Sequence, residues 1–385
     1  MRTSKKQPVD WLLYVLVLLL LIAIVITVIK TRFTPTQAAA PIATQISPGN
    51  PIPVLAYYYI WYDPSSWDRA KVDTPLLGGY SSDDLTVMRQ HILEAKAAGI
   101  NGFIVSWKGT DVLNRRLAQL AEVAQQENFK LAIIYESLDF NRNPLPVTQV
   151  ANDMDYFIQN FANQAVFQIY SKPMIIWSGT WKFSTQDIEQ VTKTRRNTLL
   201  ILASEKSVDG YTRLANLVDG DAYYWSSVNP ATFPGYQTKL DQMSQVVHQN
   251  NGLWIAPAAP GFDARLIGGT SVVDRNNGET FRTEINAAMA SSPDMLGIIS
   301  WNEFSENSYI EPSQKYDSQY LDLLGQVLKT PGPVIPEFDS SIPSSTFAEV
   351  FPESRIVALG GLFSLVLISL VVIIYRSRHT VGPKA

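Results

Sequence analysis

Glu303 and Glu306 stand three positions apart in the run Trp301-Asn302-Glu303-Phe304-Ser305-Glu306. The apolar stretch 295–301 leads into them and is suited to a buried strand. Two carboxyls among aromatic and amide side chains, where a strand runs out, suit the cleavage of a glycosidic bond. One carboxyl must hold a proton for the leaving oxygen, and the other must carry charge to assist displacement. An aromatic lining favours this division. Desolvation raises the pKa of one carboxyl while hydrogen bonds keep its neighbour ionised. Glu136, at the end of another apolar run, is a third acid of the same kind. Glu311 precedes Pro312 and reads as a charge at a helix N-terminus.

Rival chemistries lack their residues. The chain of 385 residues has no cysteine, which excludes disulfides, thiolate metal sites and a Cys nucleophile. Of three histidines, His379 lies near the C-terminus, and His91 and His248 fall in helical segments away from the strand ends. No Gly-x-Ser-x-Gly elbow and no His-Glu-x-x-His occurs. A carboxylate-only Ca²⁺ or Mg²⁺ site stays open, although no EF-hand spacing is present. Gly78-Gly79 and Gly268-Gly269 read as turns rather than phosphate loops. A net charge of −4 and the lack of a central basic block argue against a nucleic-acid partner. What remains is carboxylate acid/base chemistry.

Such acids need a scaffold that gathers strand ends. Eight short apolar or β-branched runs lie at 54–60, 102–107, 131–137, 174–177, 199–204, 221–225, 253–258 and 295–301. They alternate with segments of helical period. The first opens at Ser81-Ser82-Asp83-Asp84 and closes at Gly99. The others are 112–126, 147–163, 185–195, 211–217, 236–249, 279–291 and 316–329. Eight repeats within 54–330 predict an α/β fold, a (β/α)₈ TIM barrel, which typically takes about 250 residues. Functional residues of such barrels sit at the C-terminal ends of the strands. Here those ends are aromatic and acidic. Tyr59, Tyr62, Trp107, Glu136, Tyr224 and Trp225 are the candidate substrate contacts there, with Asp263 and Asn302 in later loops. Aromatic faces stack on sugar rings, and they also fill cores.

The flanks are of another kind. Residues 11–29 are 19 apolar residues without a charge, enough to cross about 30 Å of hydrocarbon. Lys30 and Arg32 follow directly, unlike the small-residue site of a cleaved signal peptide. Residues 356–375 form a second apolar run, followed by Arg376, Arg378 and Lys384. Two transmembrane helices flanking the barrel are expected. By the positive-inside rule, both termini (1–30 and 376–385) face the cytoplasm and the barrel lies outside it. Residues 31–53 and 331–355, rich in Pro, Thr, Ala and Ser, read as spacers.

The chain resembles glycoside hydrolase family 99, the endo-α-1,2-mannosidases and mannanases, which is related to family 71. The resemblance lies in 57–62 (Tyr-Tyr-Tyr-Ile-Trp-Tyr), 77–82 (Leu-Gly-Gly-Tyr-Ser-Ser), 98–107 (Ala-Gly-Ile-Asn-Gly-Phe-Ile-Val-Ser-Trp), 260–263 (Pro-Gly-Phe-Asp), 301–306 and 310–312. It implies a barrel that cleaves internal α-mannosidic linkages with retention, without a metal or cofactor, through attack by the sugar's own 2-hydroxyl. It implies that Glu303 assists deprotonation of that hydroxyl and that Glu306 is the acid/base. Tyr59, Trp107 and Glu136 match positions lining the sugar subsites. Phe304, Ser305 and Asn307 depart from the family's Asn-Glu-Trp-His-Glu-Gly, and Lys108 stands where a second aromatic is usual. These departures bear on the mannose specificity. They also raise the alternative of a catalytically degenerate glycan-binding protein on the same barrel.

Overall fold

The predicted strand runs are apolar along nearly their whole length, as strands buried on both faces must be. The computed structural model describes residues 52–328. It contains eight parallel strands: β1 (Val54–Tyr59), β2 (Gly102–Trp107), β3 (Lys130–Glu136), β4 (Met174–Ser178), β5 (Leu200–Leu202), β6 (Gly220–Ala222), β7 (Leu253–Ala258) and β8 (Met295–Ile298). Their order is β5-β4-β3-β2-β1-β8-β7-β6. The two end strands meet at a single bridge, Ala203 to Asp221, so the sheet curls into a nearly closed barrel. There Ala203 N donates to Gly220 O, and Ala222 N to Ala203 O, both at 2.9 Å.

Eight helices follow the strands: α1 (Leu85–Ala97), α2 (Asp111–Gln126), α3 (Val147–Asn160), α4 (Thr185–Arg195), α5 (Val208–Thr212), α6 (Tyr236–Gln249), α7 (Glu279–Ala290) and α8 (Gln319–Leu328). Local capping starts several of them. The Asp84 side chain accepts from Thr86 N and Val87 N at the head of α1. Ser184 and Asp187 form a reciprocal capping box on α4. The fifth helix is a single turn at Val208–Thr212, slightly before the predicted 211–217, because Ser207 caps it.

Strand alternation divides the interior into two cores. Leu55, Tyr57, Tyr59, Ile104, Ile134, Ile176, Leu202 and Ile255 fill the barrel lumen. Val54, Ala56, Tyr58, Phe103, Val105, Trp107, Tyr135 and Trp177 pack outward against the helices. Between β7 and α7 a small antiparallel pair, Phe262–Asp263 with Val272–Val273, projects from the mouth. The predicted spans 11–29 and 356–375, the second spacer and the first as far as residue 51 lie outside the described residues. Among the described residues, no helix is long and apolar enough to cross a membrane.

Candidate active site

β8 ends at Ile298, and the chain then folds back on itself through Glu311. Ser300 N donates to Ser308 O at 2.7 Å, and Glu311 N to Trp301 O at 2.8 Å. Glu303 N donates to Ser300 Oγ at 2.8 Å, and Ser305 N donates to Glu303 Oε1 at 2.9 Å. The loop thus fixes the Glu303 backbone and one of its carboxyl oxygens. Glu306 is tied to the neighbouring exit loop, since its carbonyl accepts from Asp263 N at 2.7 Å. Asn307 adopts φ +50°. Asn tolerates this left-handed region, whereas β-branched side chains do not. Asn307 therefore takes a backbone turn that glycine would also allow.

Glu303 is buried, and Glu306 is partly buried. Burial pushes the Glu303 carboxyl up to about 8, with the charge of Glu306 adding to the effect. The N–H of Ser305 and the ammonium of Lys71 oppose this. Burial also raises Glu306, against the charge of Arg142. Across the lumen Glu136 is raised by burial, although Ser106 Oγ donates to it at 3.0 Å. Tyr59 and Tyr224 share a 2.7 Å hydrogen bond between their hydroxyls, and both feel the charges of Glu303 and Glu306. Three acids and a tyrosine pair therefore converge on one end of the lumen.

Asn302 has its polar groups taken by the protein. Its Oδ1 accepts from Tyr59 N at 2.8 Å, its Nδ2 donates to Tyr59 O and Tyr80 Oη, and its carbonyl accepts from Tyr62 Oη at 2.6 Å. It joins the ends of β1 and β8 instead of facing a ligand. Tyr62 is likewise internal, stacked on Trp67 at 4.8 Å. The alternation of β2 turns Trp107 into the helix layer, where Nε1 donates to Asn114 of α2 at 2.9 Å. Trp225 stacks on Tyr236 of α6, also outside the lumen. The Asp263 carboxylate is gripped by Arg265, and its main-chain N–H supports Glu306.

Two residues set aside in the sequence belong to the support of this site. Glu311 is buried, not a helix-terminal charge: Tyr80 Oη donates to its Oε2 at 2.9 Å, and His91 Nε2 lies 3.1 Å from its Oε1. His91 bonds Tyr58 Oη through Nδ1 at 3.0 Å. Tyr80 also meets Asn302, so a continuous buried network runs from α1 to the residue before Glu303. Arg275 holds the other side. Its Nη2 donates to Asn307 O and Tyr309 O, and its guanidinium lies within 4.7 Å of the ring centres of Tyr309, Tyr316 and Tyr320. No spacing pattern pairs His91 with a residue 220 positions away.

The chain is similar to known proteins in sequence and in fold. The chain is 24% identical over 276 residues to the glycoprotein endo-alpha-1,2-mannosidase of Rattus norvegicus, covering 64% of this chain and 59% of that protein. It is 24% identical over 282 residues to the glycoprotein endo-alpha-1,2-mannosidase-like protein of Homo sapiens, covering 65% and 60%. The chain thus spans about three-fifths of the length of these relatives. Its fold matches that of the GH99 endo-alpha-mannosidase from Bacteroides thetaiotaomicron with a TM-score of 0.64 and 21% identity, over 72% of this chain and 96% of the other. The profile of glycosyl hydrolase family 99 matches residues 65–327, and the chain belongs to that family.

Proposed function

We propose that the protein is a membrane-anchored, extracytoplasmic glycoside hydrolase that cleaves α-linked, mannose-containing glycans with retention. The observation that carries this reading is the pair Glu303 and Glu306, seated with Tyr59, Tyr224 and Glu136 at the mouth of a family 99 barrel. Coupled carboxyls of this kind titrate as a unit. In this scheme the resting proton is carried by Glu303, whose carboxyl burial and the Glu306 charge push up to about 8.

A sugar 2-hydroxyl bound against Glu303 donates a hydrogen bond to its carboxylate. That favours the charged form and moves the shared proton to Glu306. Glu303 then accepts the hydroxyl proton as the oxygen attacks C1, and Glu306 protonates the departing glycosidic oxygen. Water opens the anhydro-sugar with the two roles reversed, so the configuration is retained. No metal or cofactor enters this scheme. The membrane anchoring rests on the apolar runs 11–29 and 356–375, with both termini in the cytoplasm of a cell membrane.

The test is to incubate the full chain in detergent with defined α-mannosides and α-glucosides and follow the product anomer by NMR. Retained α-product from a mannoside, lost in both Glu303→Ala and Glu306→Ala, is expected. Binding of oligosaccharide without any release of reducing ends would instead favour a catalytically degenerate glycan-binding protein.

A further inference from the structure

The exit loops of β1, β2, β3 and β5 carry four cations that feel nearby carboxylates only through space. Among the described residues, Lys71, Lys108, Arg142 and Lys206 form no ion pair. Three of them lie over aromatic faces instead. Lys71 Nζ is 5.4 Å from the ring centre of Trp67, Lys108 Nζ 5.6 Å from that of Phe140, and Lys206 Nζ 4.7 Å from that of Trp181. The guanidinium of Arg142 has no hydrogen-bond partner and acts through space on Glu136, Glu306 and Lys206. Phe140, between Lys108 and Arg142 along the rim, is fully exposed at 101%.

Most loop acids that could neutralise these cations are engaged elsewhere. Asp63 and Asp83 bind Arg116, Glu205 binds Arg213, and Asp263 binds Arg265. Asp139 Oδ1 accepts from the N–H groups of Asn141 and Asn143 within its own turn, and its one charge also acts on Lys108. Balancing the three acids of the lumen does not account for the cations either. Four positive charges stand against the three lumen carboxyls, of which burial pushes Glu303 up to about 8. Burial first, and then the like charge of Arg142, depress Lys206 below the usual lysine range against the opposing charge of Glu205, a cost that a neutral sugar would not relieve. Lys108 also occupies the place where the resembling motif has a second aromatic ring.

We propose that the glycan carries an anionic substituent, a phosphate or a carboxylate, that docks on Lys108, Arg142 and Lys206 while its sugar rings lie against Phe140 and Trp181. This rests on the hydrolase reading and adds a charged subsite on the β2–β5 side of the mouth. Arg142 supplies a planar fork that matches an oxyanion, and the lysines supply point charges.

The test is calorimetric binding at pH 7 to the full chain bearing Glu303→Gln, which stops turnover without changing the charge of the resting site. Three probes are compared: α-1,2-mannotetraose, the same oligosaccharide with a 6-phosphate, and the same oligosaccharide with a glucuronic acid residue. At least one anionic probe should bind about tenfold tighter than the neutral one at about 50 mM salt, and the advantage should shrink at about 500 mM. Which anion gains more separates phosphate from carboxylate. Adding Lys108→Gln and Lys206→Gln together should erase the preference. Equal binding of all three probes overturns the proposal, as does a preference that survives the double substitution. Turnover by the unsubstituted chain, measured in parallel, separates the two failures. Cleavage of the neutral probe without anion preference removes only the charged subsite. No binding and no cleavage of any probe removes the subsite and the hydrolase reading together.

Discussion

Replacing Glu303 by Gln should stabilise the protein, and increasingly so as pH rises. The Glu303 carboxyl is pushed from 4.5 up to about 8, first by burial and then by Glu306. Below about pH 4.5 it is protonated both folded and unfolded, so its charge makes no difference. Between about 4.5 and 8 the unfolded chain ionises this group and the folded chain does not. Folded stability therefore falls by about 1.4 kcal/mol per pH unit. The deficit is about 3 kcal/mol at pH 7 and levels off near about 5 kcal/mol above pH 8. The amide of Gln carries no such penalty, and its oxygen still accepts the Ser305 N–H that Glu303 Oε1 accepts at 2.9 Å.

Thermal unfolding of the full chain and of Glu303→Gln, followed by circular dichroism from pH 4 to 9 in one detergent, measures this directly. At about 2 °C per kcal/mol for a domain of this size, the variant should melt roughly 6 °C above the parent at pH 7 and alongside it at pH 4. Glu306→Gln, which removes only the second cause, should lower the Glu303 pKa without restoring its ordinary value. A melting difference that is flat across the range, or that shrinks as pH rises, would refute the placement of Glu303 in a desolvated pocket.

The same titration should limit catalysis: kcat/KM should fall above about pH 8, as Glu303 loses its proton, and a profile still rising there would contradict the transfer of that proton to Glu306. His91→Ala strips Glu311 of a buried hydrogen-bond partner and Tyr58 of another, and should cost about 2–4 kcal/mol in denaturant melts. Lys193→Ala, which breaks an exposed helical pair with Glu189, should cost under about 1 kcal/mol. Trp107→Phe should lower stability by about 1–3 kcal/mol with KM unchanged, whereas Tyr224→Phe should change kcat/KM with little effect on melting. The reverse pattern would put Trp107 at the substrate. Asn307→Gly should keep activity and stability, while Asn307→Val should cost about 1–2 kcal/mol and slow turnover, as read by melts and initial rates.

The barrel was legible because its strands are apolar on both faces and its helices keep their own period, so eight alternations could be counted from local pattern alone. The acids at the end of β8 were legible for the same reason, since a buried run that breaks into Asn302-Glu303 marks a strand end. The direction of each aromatic was not legible. One residue of register decides whether a ring enters the lumen or the helix layer, and both faces of these strands are apolar. Tyr59 and Trp107 look equivalent in sequence, and the pleat sends one to the lumen and the other to α2. The support of the site was hidden for another reason. His91 and Glu311 meet across 220 residues, and Tyr80 meets Asn302 across 222, so their pairing exists only once the barrel has wrapped. That separation carries a consequence for how the motif tolerates change. Phe304 stacks on Tyr309 at 4.0 Å and Asn307 keeps its left-handed turn, so the loop holds its shape through contacts that the motif itself does not contain. Glu303 and Glu306 stay in position because Asn302, Ser300, Arg275 and Asp263 each hold a different part of the loop. The departures at Phe304, Ser305 and Asn307 therefore leave in place the backbone contacts that seat the two carboxyls.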